Sequence, residues 1–287
     1  KRPIEFCYCH TPPRWLYGYK TSVEFQKYWP IKVYAMVIGH FMRLYDFKQA
    51  QKVDYFIANS KEVQARIKKF YRRDSTVIYP PVSLPSPQGP HPNPLPEGEG
   101  IKKSGRGSQS GDYYFMVARL VGSKGLDLAV EAAHQAGIKL KIAGESGGYS
   151  RKYTDSGQAR MTAKNKNVEF LGYVSDEELV RLYSEAIGLF ALSTDEDFGI
   201  TPVESMLCGT PVIAYNGGGY KETVIDGKTG VLFDDESVKS LVEAIQKFEK
   251  LKFSSEACQK QAEKFSKEKF IKGIRSYITS RINLDKG

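Results

Sequence analysis

Ala186-Ile187-Gly188-Leu189-Phe190-Ala191-Leu192-Ser193-Thr194-Asp195-Glu196-Asp197-Phe198-Gly199-Ile200-Thr201-Pro202-Val203-Glu204-Ser205-Met206-Leu207-Cys208-Gly209-Thr210-Pro211-Val212-Ile213-Ala214 is the stretch on which the fold turns. An apolar run, Ala186–Leu192, reads as a strand. An acidic loop and a tight glycine turn follow, then a short helix over Pro202–Cys208 and a second buried strand over Pro211–Tyr215. Two carboxylates, Glu196 and Glu204, stand with seven residues between them. Carboxylates and backbone N–H groups beyond the C-terminal end of a strand are where open α/β sheets take ligands.

The same alternation extends in both directions. Tyr113–Ala118, Ile138–Ala143 and Val168–Leu171 read as further strands, with helices expected at Leu126–Gln135 and Asp176–Glu185. Ser175 with Glu178 fits a capping box at the start of the latter. Gly227-Lys228-Thr229-Gly230 reads as a turn before a short strand, Val231–Phe233, and helical periodicity then runs from Ser237 almost to the end. This β-α order predicts a parallel, doubly wound sheet.

Ahead of it lies a second, smaller α/β piece. Ile4–Cys9, Val53–Ala58 and Thr76–Tyr79 are its strand candidates, with helices near Met42–Ala50 and Lys61–Phe70. Three strands make half of such a sheet, so earlier β-α units are expected to be missing. Between the two pieces the chain is rich in Pro, Gly and Ser and cannot bury enough apolar surface to order itself. The expected division is therefore a truncated domain over 1–82, a mobile linker over 83–111, a complete domain over 112–268, and a last helix at 269–287 that returns to the first domain. His91 lies in the linker and is a poor candidate for chemistry.

At 287 residues there is room for two domains. No apolar run reaches membrane-spanning length. The four cysteines, Cys7, Cys9, Cys208 and Cys258, are too few and scattered for a disulfide scaffold, and none has zinc spacing; a reducing, cytoplasmic setting is the simpler expectation. The net charge of +9 is carried by residues 1–83, which hold 15 Lys/Arg against 6 Asp/Glu, while the remaining 27 basic and 27 acidic groups cancel. Such a basic surface suits anionic lipid at a membrane's inner face or a diphosphate-linked acceptor; it is equally explained as a solvated helix face. No nucleic-acid signature accompanies it, and nucleic acid is ranked last as a partner.

The stretch at 196–214 resembles the E-x7-E motif of retaining glycosyltransferases of family 4. The resemblance implies a GT-B fold of two facing Rossmann-like domains with parallel sheets, the first truncated here, and a nucleotide-sugar donor. It further implies a glycan or lipid-linked acceptor and transfer with retention by front-face displacement. Breaking the anomeric bond builds negative charge on the leaving diphosphate, which needs fixed positive charge or a metal. Arg119-Leu120-Val121-Gly122-Ser123-Lys124-Gly125 looks like the family's phosphate-binding R-x4-K segment. The resemblance assigns the diphosphate to Arg119 and Lys124, the ribose hydroxyls to Glu204 and the transferred sugar to Glu196. It also turns the backbone N–H groups around Phe198, Gly199, Ile200 and Thr201 toward the diphosphate. A plain helix cap, Thr201-Pro202-Val203-Glu204, accounts for Glu204 alone.

Other features are weaker. Gly144 stands where the family has a glycine turn near the donor, and the segment Phe170–Ser175, with Val174, resembles the one lying along the base. Gly217-Gly218-Gly219 reads either as a phosphate nest or as a flexible turn. Tyr8-Cys9-His10-Thr11-Pro12-Pro13-Arg14 resembles members that build bacterial surface polysaccharides, notably mannosyltransferases. It makes His10 a sugar-side candidate and GDP-mannose the first donor expectation. Arg14, Ser60 and Arg66 are acceptor-side or cleft candidates. Asp195-Glu196-Asp197 leaves a metal-binding D-x-D reading open, but the basic pair upstream favours a design without metal or other cofactor. A UDP-sugar glucosyltransferase, an epimerase or a non-catalytic nucleotide-binding fragment is the alternative on the same scaffold.

Overall fold

The computed structural model describes residues 2–19, 29–84, 111–118, 124–145 and 166–284. Arg119, His91 and most of the linker lie outside the described residues.

The first part comprises β1 (Phe6–Cys9), a 3-10 turn (Arg14–Leu16), α1 (Trp29–Ala50), β2 (Tyr55–Ala58), α2 (Lys61–Tyr71) and β3 (Ser75–Val77). Its strands pair in parallel in the order β1-β2-β3. Helix α2 starts where the Ser60 hydroxyl accepts from Val63 N at 3.0 Å and ends at Arg72, which takes a left-handed φ of 55°. Its Val63, Ile67 and Tyr71 bury against Phe56 and Ala58 of β2. Helix α1 begins at Trp29, well before the expected Met42. Its first half carries apolar side chains around most of its circumference and so gives no 3.6-residue stripe to read.

The second part runs β4 (Tyr113–Val117), α3 (Leu126–Ala136), β5 (Lys139–Ala143), β6 (Val168–Gly172), α4 (Asp176–Glu185), β7 (Gly188–Ala191), α5 (Ile200–Leu207), β8 (Val212–Tyr215), α6 (Tyr220–Thr223), β9 (Gly230–Phe233), α7 (Val238–Lys250), α8 (Ser255–Ala262) and α9 (Lys267–Leu284). All six strands are parallel, in the order β6-β5-β4-β7-β8-β9. The chain winds from β4 to one edge, returns to the centre at β7 and winds to the other. Strands β4 and β7, paired through Tyr114↔Gly188 and Phe115↔Leu189, therefore flank a topological switch point.

Alternate residues of each strand feed opposite cores. Tyr114, Met116, Leu140, Ile142, Phe190 and Ile213 pack with α3 and α7. Phe115, Leu189, Val212 and Ala214 pack with Leu182, Tyr183, Val203, Met206 and Cys258 on the other face. The helical periodicity after Ser237 resolves into three helices, the last starting at Lys267, with breaks at Leu251 and at a 3-10 turn over Glu263–Phe265. Helix α9 lies on the first sheet: Phe270 meets Tyr8 edge-on at 5.6 Å, and Tyr277 meets Phe6 at 6.2 Å.

Candidate active site

Lys124 and Gly125, leading into α3, reach the end of β7 over the switch point because residue 125 is a glycine. Gly125 is the N-cap of α3 at φ +73°, and a Cβ there would stand 2.7 Å from Leu192 Cβ. With Gly125 pressed against Leu192 beyond β7, Lys124 Nζ donates to Glu196 Oε2 at 2.7 Å. The two side chains are 25% and 19% exposed, so solvent still reaches the pair from one side. The Tyr220 hydroxyl donates to the same carboxylate oxygen at 3.5 Å. Burial, with the Glu196 charge second, holds that phenol far above its ordinary range, so it stays a donor.

The acidic loop is shaped by the three glycines behind it. Gly219 N donates to Glu196 O at 2.9 Å. A Cβ at Gly218 would fall 2.1 Å from Glu196 O, and one at Gly219 would fall 2.3 Å from Phe198 Cα. The glycine run is a close backbone-to-backbone contact, which any side chain would open.

Asp197, next to Glu196, turns toward the first domain. Its Oδ2 takes Arg14 Nη2 at 2.6 Å, its Oδ1 takes Arg66 Nη1 at 2.5 Å, and its carbonyl accepts from Ser60 Oγ at 2.5 Å. Burial lifts the Asp197 carboxyl above its ordinary range, outweighing the opposing pull of Arg14 and Arg66. Glu222 reaches across the same boundary. Its carboxylate accepts from Lys61 N at 2.9 Å, Glu62 N at 3.1 Å and the Tyr79 hydroxyl at 3.0 Å, covering the start of α2. Phe198 is buried between Tyr79 and Phe265, with ring centroids at 5.9 and 5.2 Å.

Glu204 sits on the inner side of α5, where its Oε2 accepts from the Tyr183 hydroxyl at 2.8 Å. Burial raises its carboxyl above the ordinary range, and the Tyr183 bond only partly opposes this. The helix starts at Ile200 rather than Pro202, with Gly199 at φ +92° as its cap and no side chain bonding its first amides. Thr201 therefore lies inside the first turn, and the expected cap from Thr201 to Glu204 does not form. Pro202 is accommodated because a first-turn N–H has no intrahelical partner. Ile200 is exposed.

Gly144, at φ +138°, closes β5 against Ala118, whose oxygen a Cβ would meet at 2.0 Å. Val174 packs at the edge of the core below α4 and α5. His10 is exposed, its ring edge-on to Tyr8 at 5.3 Å. The structure thus gathers Lys124, Glu196, Arg14, Ser60 and Arg66 around one loop, while Glu204 bonds within its own domain. Glu222, Tyr183 and Tyr220 were not singled out from the sequence, and Asp197 was named there only within a possible metal-binding D-x-D string. Among the described residues, no group of three or more His, Cys, Asp or Glu side chains is arranged to hold a metal, and no helix is long and apolar enough to cross a membrane.

A parallel doubly wound sheet with charged loops over its switch point, facing a second α/β sheet, is the GT-B arrangement. The family described as glycosyl transferases group 1 matches residues 99–265, more than half of the chain, and the chain belongs to that family. An uncharacterised glycosyltransferase of Methanocaldococcus jannaschii is 32% identical over 173 residues, covering 58% of this chain and 48% of that protein. The alpha-1,3/1,6-mannosyltransferase ALG2 of Dictyostelium discoideum is 33% identical over 126 residues, covering 42% and 30%. The chain thus matches about half, or less, of the length of these relatives. Among solved structures, Anabaena HepE in complex with UDP and glucose superposes with a TM-score of 0.66 at 22% identity, over 83% of this chain and 66% of that one.

Proposed function

We propose that this chain is the donor-binding and cleft-forming part of a retaining hexosyltransferase that moves a sugar from a nucleotide-sugar to a glycan or lipid-linked acceptor. The observation that carries the reading is the Lys124–Glu196 pair over the β4/β7 switch point. It sets a cation for a leaving diphosphate beside a carboxylate for the sugar. As the bond between the anomeric carbon and the diphosphate oxygen breaks, Lys124, with Arg119, neutralises the charge that builds on the phosphate. Glu196 and His10 orient the sugar and Glu204 holds the ribose. The uncapped first turn of α5 offers its backbone N–H groups to the diphosphate.

GDP-mannose is the first donor assigned. It is supported by the His10–Arg14 segment and by the mannosyltransferase named among the relatives. A UDP-sugar is the second, supported by HepE, whose structure holds UDP-glucose on a similar fold. Transfer without a metal is the reading supported by the pairings of the acidic loop: Glu196 is matched by Lys124, and Asp197 by Arg14 and Arg66. The basic first domain, with the exposed Trp15, Trp29, Tyr34 and Tyr45, is assigned to anionic lipid at a membrane surface.

Incubating the protein with GDP-mannose, UDP-glucose and ADP-glucose in the presence of a chelator tests this reading. One donor should be cleaved slowly with retention of anomeric configuration, water taking the glycosyl group in place of the acceptor, and excess EDTA should leave the rate unchanged. Loss of all cleavage on chelation would restore the metal-binding reading of Asp195–Asp197. Binding without cleavage of any donor would favour a nucleotide-binding fragment.

A further inference from the structure

Asp197 is among the most heavily engaged side chains between the two sheets, and none of the roles above uses it. We propose that Asp197 is a positioning residue: it latches the loop bearing Glu196 to helix α2 of the first domain, so that the sugar-side carboxylate is held in working position only while the domains are closed. This rests on the reading of Lys124 and Glu196 given above.

Both carboxylate oxygens of Asp197 are taken, one by each guanidinium, and its carbonyl is taken by Ser60. Its neighbour Glu196 is tied on the other side, through its carbonyl, to Gly219 N. The peptide between them is therefore fixed at both ends, by different domains. The receiving side is prebuilt. Arg66 is 2% exposed, stacks 4.2 Å over the Tyr19 ring, and bonds Glu62 at 3.2 Å and Thr11 at 3.3 Å, so its guanidinium has little freedom before Asp197 arrives. Planar guanidinium groups hold carboxylates in a defined orientation as well as attracting them.

A second carboxylate makes the same crossing. Glu222 covers the first amides of α2 and belongs to α6, whose leading residue Gly219 anchors Glu196. The acidic loop and α6 therefore seat on the start of α2 as one body. Nucleotide contacts assigned to Lys124 and Glu204 lie within the second domain and do not need this seat. Orientation of Glu196 does.

The test is Asp197→Asn in the full chain, with Asp197→Glu and Glu222→Gln as companions. Amide hydrogen exchange is followed over 59–68 and 194–204, GDP and UDP affinity by calorimetry, and turnover with saturating GDP-mannose or UDP-glucose. In Asp197→Asn, exchange over both segments should rise about tenfold or more, while β4 and β5 keep wild-type protection. Nucleoside-diphosphate affinity should stay within about threefold and turnover should fall about tenfold or more, with partial recovery in Asp197→Glu. Glu222→Gln, which leaves both arginine pairs in place, should loosen 59–68 by the same readout even if Asp197→Asn does not fold. Wild-type exchange in these variants, or a turnover loss matched by an equal loss of affinity, overturns the latch. If the wild-type protein binds neither GDP nor UDP, the donor-site reading fails, and the exchange data still decide the latch.

Discussion

At the scale of single residues, Glu204 shows how burial shifts a carboxyl. Its carboxyl lies above the ordinary range because burial desolvates it, against the opposing bond from Tyr183. The sign of the consequence follows from proton binding. Between the unfolded and the raised folded pKa the native state holds more protons, so stability falls as pH rises through that window. Glu204→Gln keeps the bond from Tyr183 and removes the titration. Its melting temperature should equal wild type at low pH and exceed it at neutral pH, and identical pH–stability curves would refute the burial argument. Lys124 and Glu196 were legible as residue types through their resemblance to the R-x4-K segment and the E-x7-E motif. Their partners were not. Arg66 and Asp197 are 131 positions apart, and nothing in local periodicity couples them. The glycine run was legible as a turn, whereas its cause, contact with the backbone of Glu196 and Phe198, belongs to tertiary structure.

At the scale of elements, the parallel strands read well because strands covered on both faces appear as continuous apolar runs. Helix α1 did not, and the reason bears on function. Val33, Tyr34, Met36, Val37, Phe41 and Tyr45 are each more than half exposed, around a helix held to the body by a narrow face near Gly39, Arg43 and Ala50. Side chains of this kind gain about 1.5–3 kcal/mol each on leaving water, and the net charge of residues 1–83 favours an anionic surface. The full chain should therefore sediment with vesicles rich in phosphatidylglycerol and only weakly with phosphatidylcholine. Met36→Glu with Phe41→Glu should lower that binding roughly tenfold or more. Failure to bind either vesicle would remove the membrane from the account.

At the scale of the whole molecule, two sheets of unequal size are joined by α9 lying back on the first sheet, by the backbone bond from Val82 N to Phe265 O at 2.9 Å, and by the carboxylates of Asp197 and Glu222. The strand order sets β4 beside β7, and Lys124, leading into α3, meets Glu196 beyond β7. The fold class and the matching family were both legible in the sequence, since the β-α alternation and the Glu196–Glu204 spacing are local. That the two domains face one another was implied by the resemblance; the carboxylates that join them, Asp197 and Glu222, were not legible, because their contacts link distant segments. The most direct measurement is calorimetric titration of GDP, UDP and ADP into the wild-type chain and into Lys124→Ala and Glu204→Ala. One diphosphate should bind the wild type, and each substitution should weaken it by a factor of about ten or more. Equal affinity in all three proteins, or no binding to any, would contradict a donor site at the β4/β7 switch point.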